Sequence, residues 1–268
     1  MSDEAFSYDR CQACGLIFLE NVPDDLGRFY SDDYFTLPPL AQLRRAAERE
    51  AYRLDFVRPH VPSGRIVEVG AGAGLFALLA KEAGYDYAGI EMDPACCRYL
   101  RDTVGVEAIE TGEPERALGE LPPSDAVVLW HALEHLPDPW ECLRAAAANL
   151  RPGGVLVAAM PNPDAFQFKV LGRRWPHVDA PRHLFLIPAG LLQEDAAGAG
   201  LEPAGLTTSD PGGLHWNAFG WAHALVPPRP GKAALAARVA GGAVGRLLRP
   251  LERRDLRGAT YTATFRKR

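Results

Sequence analysis

The sequence predicts an α/β fold in which a doubly wound, seven-stranded, mostly parallel sheet carries helices on both faces. Three observations predict it. From Arg65 to Asp210, short β-branched runs alternate with helical segments, the pattern of successive strand–helix–strand units. The stretch IVEVGAGAGLF, Ile66 to Phe76, runs strand-type residues into three alternating glycines and then into a helix. An acidic residue, Glu91, closes the next strand 21 positions after Gly70.

Taken in order, the strands are expected at Arg65 to Gly70, Tyr85 to Met92, Val106 to Thr111, Asp125 to Leu133, Gly154 to Met160, Leu201 to Thr208 and Ala259 to Lys267. The last is rich in threonine and aromatics and lies far along the chain from its predecessor. Helices are expected after Gly74, at DPACCRYL, from Asp138 to Leu150 and from Pro188 to Ala199. Trp140, Leu143, Ala147 and Leu150 recur at helical spacing, and RPGG is expected to stop that helix.

Three segments fall outside this alternation. Residues 1–64 form an expected N-terminal cap containing CQACG, the aromatic stretch FYSDDYF and a helix, LAQLRRAAEREAYRLDFV, before the first strand. Residues 65–268 form the main domain, with two insertions. The connection 161–187 is too long for an ordinary loop, and its aromatics favour an ordered lid. Residues 221–257 are basic, carrying Arg229, Lys232, Arg238, Arg246, Arg249, Arg253, Arg254 and Arg257 against Glu252 and Asp255, with two short helices expected.

The chain has 268 residues, 47% of them hydrophobic, enough to bury one full core. A net charge of -5 argues against a nucleic-acid partner, which needs a strongly basic face. No apolar run reaches the roughly 20 residues of a membrane span, and MSDEAFSYDR lacks a leader-like apolar core, so a cytoplasmic protein is expected. Five cysteines, an odd number, suit free thiols in a reducing compartment.

Gly70, Gly72 and Gly74 remove the Cβ atoms that would keep a ligand from the backbone. The dinucleotide fingerprint G-x-G-x-x-G would place its last glycine at Leu75, so the pattern departs from it. Glu91 is placed to accept hydrogen bonds from ribose hydroxyls; its alternative role is a charge at the start of the next helix, which Asp93 serves better.

Together, EVGAGAG, GIEMDP, DAVVLWHALEHLPDP and LRPGGVLVAAMP resemble the ordered signature set of class I S-adenosylmethionine-dependent methyltransferases, over residues 65 to about 210. The resemblance implies a Rossmann-like methyltransferase fold, S-adenosylmethionine as cofactor and a small-molecule methyl acceptor. It implies that Glu68, Gly70, Gly72 and Gly74 meet the amino-acid arm of the cofactor and that Glu91 and Met92 hold its ribose. Gly112 and Glu113 then meet the adenine, where TGEP replaces the more usual Gly-Asp pair, and Trp130 and His131 line the transfer site. A ligand without phosphate accounts for the lost third glycine of the dinucleotide pattern.

Candidate proton acceptors are His131, Glu134, His135 and His183. A helical WHALEHL would present His131 and His135 on one side, but zinc there lacks a third ligand, and the alternative is that Glu134 and His135 bond the backbone of their turn. In related ubiquinone-type O-methyltransferases acids in this turn serve a divalent cation; His131 replaces one of them here, and no metal is assigned. DAPRHLFLI resembles a Pro-Arg-His-Leu element of a subgroup with an N-terminal cysteine ribbon. In this chain His183 is a candidate base and Arg182 a candidate clamp for an acidic acceptor group, the alternative being that both pin the lid to the sheet.

Cys11 and Cys14 make half a zinc knuckle, read as a relic, the alternative being one metal shared by two chains. The basic segment is read as a solvated flank, with anionic lipid as its alternative. Tyr30, Tyr34 and Phe35 are candidates to close over the cofactor. Oxygen is the acceptor atom expected first, with carbon and nitrogen as alternatives, and the composition fits specialised metabolism. A homodimer is compatible with all of this. The rivals are an NAD-dependent oxidoreductase, disfavoured by Leu75, and a non-catalytic nucleoside-binding protein.

Overall fold

The computed structural model describes residues 4–30, 35–224 and 232–268; the side chains of residues 232–235, 237 and 238 are outside the description. The chain divides into two compact units.

The larger unit comprises Gly27–Ala159, Leu192–Gly205 and Ala263–Arg268. Its strands, counting the N-terminal pair below as β1 and β2, are β3 (Arg65–Val69), β4 (Asp86–Glu91), β5 (Glu107–Glu110), β6 (Ser124–Trp130) and β7 (Leu150–Pro161). With β9 (Leu201–Thr207) and β10 (Thr260–Lys267) they form a seven-stranded sheet of order β5-β4-β3-β6-β7-β10-β9. The pairs β3–β4, β3–β6, β4–β5 and β6–β7 are all parallel. The helices are α1 (Leu40–Arg49), α2 (Leu75–Glu82), α3 (Pro94–Tyr99), α4 (Pro114–Glu120), α5 (Pro139–Asn149) and α7 (Ala189–Gly198). Asp93 caps α3 by accepting from Ala95 N and Cys96 N, and Asp138 caps α5 by accepting from Glu141 N, so each helix starts where its sequence signal stands. Ile66, Phe76, Leu100, Val128 and Val157 share one core with Leu43 and Leu54 of the helical lead-in.

Two local expectations need correction. RPGG does not stop α5 by itself. Leu150 already pairs with Ser124, and the register with β6 then shifts so that Ala126 faces Val155; Pro152 to Gly154 form an irregularity inside β7. The lead-in helix is α-helical only to Arg49, and Ala51–Phe56 continue as a 3-10 helix. Helix α4 carries no apolar stripe long enough to announce itself.

The smaller unit comprises Met1–Leu26, Met160–Leu191 and Leu206–Thr262. Strands β1 (Tyr8–Arg10) and β2 (Ile17–Leu19) form a hairpin, and β2 pairs antiparallel with β8 (Phe185–Leu186) at the end of the long connection. The residues 1–64, read as one cap, therefore part at Leu26, and the connection 161–187 joins the hairpin. Its helices are α6 (Phe166–Leu171), α8 (Pro211–Ala224) and α9 (Lys232–Glu252). Ile17, Trp175, Leu186 and Ala259 form its core. At a second, polar centre the buried Glu252 Oε1 accepts from Trp221 Nε1 at 2.7 Å and Gln167 Nε2 at 3.0 Å. Where two short helices were expected over the basic segment there is one helix, α9, preceded by α8. Among the described residues no helix is long and apolar enough to cross a membrane.

Candidate active site

The chain leaves β3 through a corner whose glycines all take left-handed backbone: φ is 77° at Gly70, 49° at Gly72 and 78° at Gly74. Their missing side chains serve different ends. A Cβ on Gly74, the N-cap of α2, would lie 2.9 Å from Leu100 Cδ2, and one on Gly70 would lie 2.7 Å from Ala132 Cβ, so these two make room for the protein's own packing. At Gly72 the neighbour is Phe35, whose Cε1 would be 2.9 Å away. This brings one of the three aromatics expected near the cofactor against the corner. Tyr34, another, lies outside the described residues.

Two buried glutamates stand at the ends of the adjoining strands, Glu68 next to last in β3 and Glu91 last in β4. Glu91 Oε2 accepts from Gly72 N at 2.8 Å, while Oε1 accepts from Met92 N at 2.8 Å and Asp93 N at 2.9 Å. A carboxylate offers about four acceptor positions, so one remains for a ligand hydroxyl. Among the described residues Glu68 accepts from the Tyr87 hydroxyl, at 2.5 Å, and burial pushes its carboxyl up from 4.5 to about 8. Met92 is 59% exposed, an apolar side chain beside a polar site with nothing covering it. A side chain at Gly112 would meet nothing within 4 Å, and Glu113 N donates to Thr111 Oγ1 at 3.0 Å as α4 begins. These groups fit a nucleoside: an acceptor for its sugar, an apolar wall and open backbone for its base.

The turn after β6 departs from expectation. Trp130 shares the strand face of Ala126 and Val128 and so packs into the core, edge-on to Phe56 at 6.0 Å, with the Arg53 guanidinium 5.0 Å from its ring centroid. Val128 pairs with Glu68 in register, so the indole lies on the sheet face that Glu68 shares. His131 is held left-handed at φ 55° while its N–H donates to Ala159 O at 2.8 Å, and Leu133–His135 form a 3-10 turn. A left-handed non-glycine residue costs about 1–3 kcal/mol and tends to mark functional turns. No α-helical turn presents His131 and His135 together. Instead His131 Nδ1 lies 3.5 Å from the buried Glu134 Oε1, and His135 Nδ1 lies 3.1 Å from the Tyr30 hydroxyl. The Tyr30 contact was not foreseeable from spacing, since 105 residues separate the pair. Arg53, in the lead-in, was singled out by no sequence signal.

In the smaller unit, His183 is buried and its Nδ1 lies 2.9 Å from His177 O, while its own carbonyl accepts from Tyr8 Oη at 2.6 Å. Arg182 pairs with Asp179 through two hydrogen bonds, at 2.9 and 2.6 Å. Cys11 and Cys14 stand in the β1–β2 turn as free thiols, closed by Gly15 N donating to Cys11 O at 2.9 Å. Backbone N–H groups of Cys14 and Ala13 directed at the Cys11 sulfur hold its thiol below the usual range.

Comparison with known proteins bears on this geometry. A family described as "Methyltransferase domain" matches residues 41–204. The chain is 28% identical over 216 residues to a ubiquinone biosynthesis O-methyltransferase of Ralstonia nicotianae, covering 76% of this chain and 89% of that one. It is 32% identical over 153 residues to the enzyme of the same name from Bordetella avium, covering 53% and 64%, and so spans less than two thirds of that relative. Among solved structures, a SAM dependent methyltransferase from Archaeoglobus fulgidus superposes with a TM-score of 0.57 at 18% identity, covering 82% of this chain and 94% of that one. An S-adenosylmethionine dependent methyltransferase from Mesorhizobium loti gives 0.54 at 18%, covering 82% and 100%. These likenesses support the fold.

Proposed function

We propose that this chain, which belongs to the methyltransferase-domain family and is an S-adenosylmethionine-dependent methyltransferase, acts on a small molecule whose acceptor atom is a hydroxyl oxygen. Bound at the corner, the cofactor supplies an electrophilic methyl group, and transfer is a direct displacement. In this reading Glu91 accepts one ribose hydroxyl, Met92 lies against the nucleoside, and Gly112 and Glu113 border the base. Glu68 faces the cationic amino group of the amino-acid arm, and Gly70 and Gly72 pass their main chain alongside it.

The chain's remaining tasks are to align the acceptor, which is worth roughly 7–11 kcal/mol when two reactants are well oriented, and to take the hydroxyl proton. The observation that carries the oxygen reading is the imidazole of His135, steadied by Tyr30, on the same turn as Ala132, which packs against Gly70. A proton acceptor thus stands one turn from the cofactor corner. His131, beside Glu134, is the alternative base. His183 is the third: a proton on Nδ1 donated to His177 O leaves Nε2 as acceptor. The names of the curated relatives support oxygen as well.

Transfer of labelled methyl from the cofactor to a phenol, a sugar alcohol and an amine of similar size tests the reading. An ether product is expected. Methylation of the amine alone, with both hydroxyl compounds untouched, would refute it. Replacing the true base by alanine, tried at His135, His131 and His183 in turn, is expected to lower kcat about 100- to 10,000-fold, with partial recovery at high pH.

A further inference from the structure

Helix α9 rests on α8 by one face only. A Cβ on Gly241 would run into the Ala222 backbone, and one on Gly245 would lie 3.3 Å from Trp221 Cδ1, so α9 approaches through glycines; Glu252 anchors its end to Trp221 and Gln167. The opposite face is exposed and apolar. Val239, Ala243, Leu247 and Leu251 fall at successive four-residue steps, one stripe of a helix, and Val239, Leu247 and Leu251 are 68%, 79% and 40% exposed. Beside the stripe Arg246, Arg249 and Arg253 form a second exposed row. Arg254 and Arg257 follow, around Leu256, which is 43% exposed on a left-handed backbone. The one exposed acid of residues 246–257 is Asp255.

We infer that this face of α9 docks the protein on an anionic lipid surface, the leucine stripe entering the headgroup boundary and the arginines meeting lipid phosphates. Charge complementarity selects the occupant. A second copy laid on the stripe would oppose arginine to arginine. A nucleic acid would leave Leu247 and Leu251 against water, and the chain as a whole carries a charge of -5. An anionic bilayer alone satisfies an apolar stripe flanked by cations.

Co-sedimentation of the full chain with vesicles of phosphatidylglycerol and phosphatidylcholine, against phosphatidylcholine alone, tests it at about 50 mM salt, where screening is weak. Binding to the anionic vesicles only is expected, and its loss at high salt. Each arginine near the surface contributes roughly a fivefold gain. The triple variant Arg246→Gln, Arg249→Gln, Arg253→Gln should therefore partition about a hundredfold less. Leu247→Asp should weaken partitioning at least about tenfold, and all these positions are exposed, so folding is retained. Equal binding to both vesicle types overturns the inference, as does tighter binding to duplex DNA than to vesicles. So does reversible dimerisation in sedimentation that Leu247→Asp abolishes.

Discussion

Glu68, next to last in β3, and Glu91, the last residue of β4, stand two residue pairs apart in register on neighbouring strands; both are buried, and the protein treats them oppositely. Glu91 is met by three backbone N–H groups, one from the glycine corner and two from the entry to α3. Glu68 is met by a single phenol and lies in apolar surroundings that push its carboxyl up to about 8. The difference separates two jobs. Glu91 ties the corner to the next strand and is in place before any ligand arrives. Glu68 has only the charge of Arg53 to offset its burial, among the described residues, and is suited to receive a further cation.

Breaking the first side of that comparison has the largest expected effect. Glu91→Gln replaces an acceptor oxygen with a donor that faces backbone N–H groups. It should destabilise the protein by about 2–4 kcal/mol and weaken cofactor binding at least about a hundredfold, measured by urea unfolding and calorimetric titration. Wild-type stability with intact cofactor affinity would show that the three-donor cradle is not what holds the corner.

Glu68→Gln sharpens the comparison through pH. The folded carboxyl of Glu68 is raised, so its favourable contribution to the ligand-free protein is full below about 4.5 and is lost as pH rises through about 8. Each unit of such a shift is worth roughly 1.4 kcal/mol. The glutamine variant should flatten that decline and outlast the wild type in thermal unfolding above pH 8, yet bind the cofactor more weakly. Parallel pH–stability curves for the two proteins would contradict it.

A smaller effect is expected at the corner. Gly72→Ala imposes a left-handed alanine, costing about 1–2 kcal/mol, and presses on Phe35. KM for the cofactor should rise with kcat little changed. Least of all, Tyr30→Phe removes one hydrogen bond from His135, worth about 0.5–1.5 kcal/mol. Its signature is a shifted pH–rate profile rather than lost folding, and an unshifted profile would detach Tyr30 from the reaction.

Much of the larger unit was legible in the sequence. The strands β3 to β7 stand where alternation puts them, because each strand–helix step is written within a few tens of neighbouring residues. The caps Asp93 and Asp138 and the glycine corner are likewise local. The irregularity in β7 was not legible, since RPGG looks the same whether it ends a helix or bulges a strand, and pairing with β6 decides which. Nor was β8, two residues whose partner strand lies some 170 positions earlier. At the corner, the carboxylate ending β4 was legible and its three backbone donors were not. Trp130 came to the transfer site through the family resemblance alone, and its packing against Phe56 and Phe76 was not legible in the sequence.

By itself the sequence determined the parallel α/β order, the corner of left-handed glycines and the carboxylate ending β4. These rest on backbone preference and on periodicity, which act between near neighbours. Tertiary structure alone decided that Tyr87 meets Glu68, that Tyr30 meets His135 and that β2 meets β8. Closing a long loop costs only slightly more than closing a shorter one, so separation along the chain does not select a partner, and packing does.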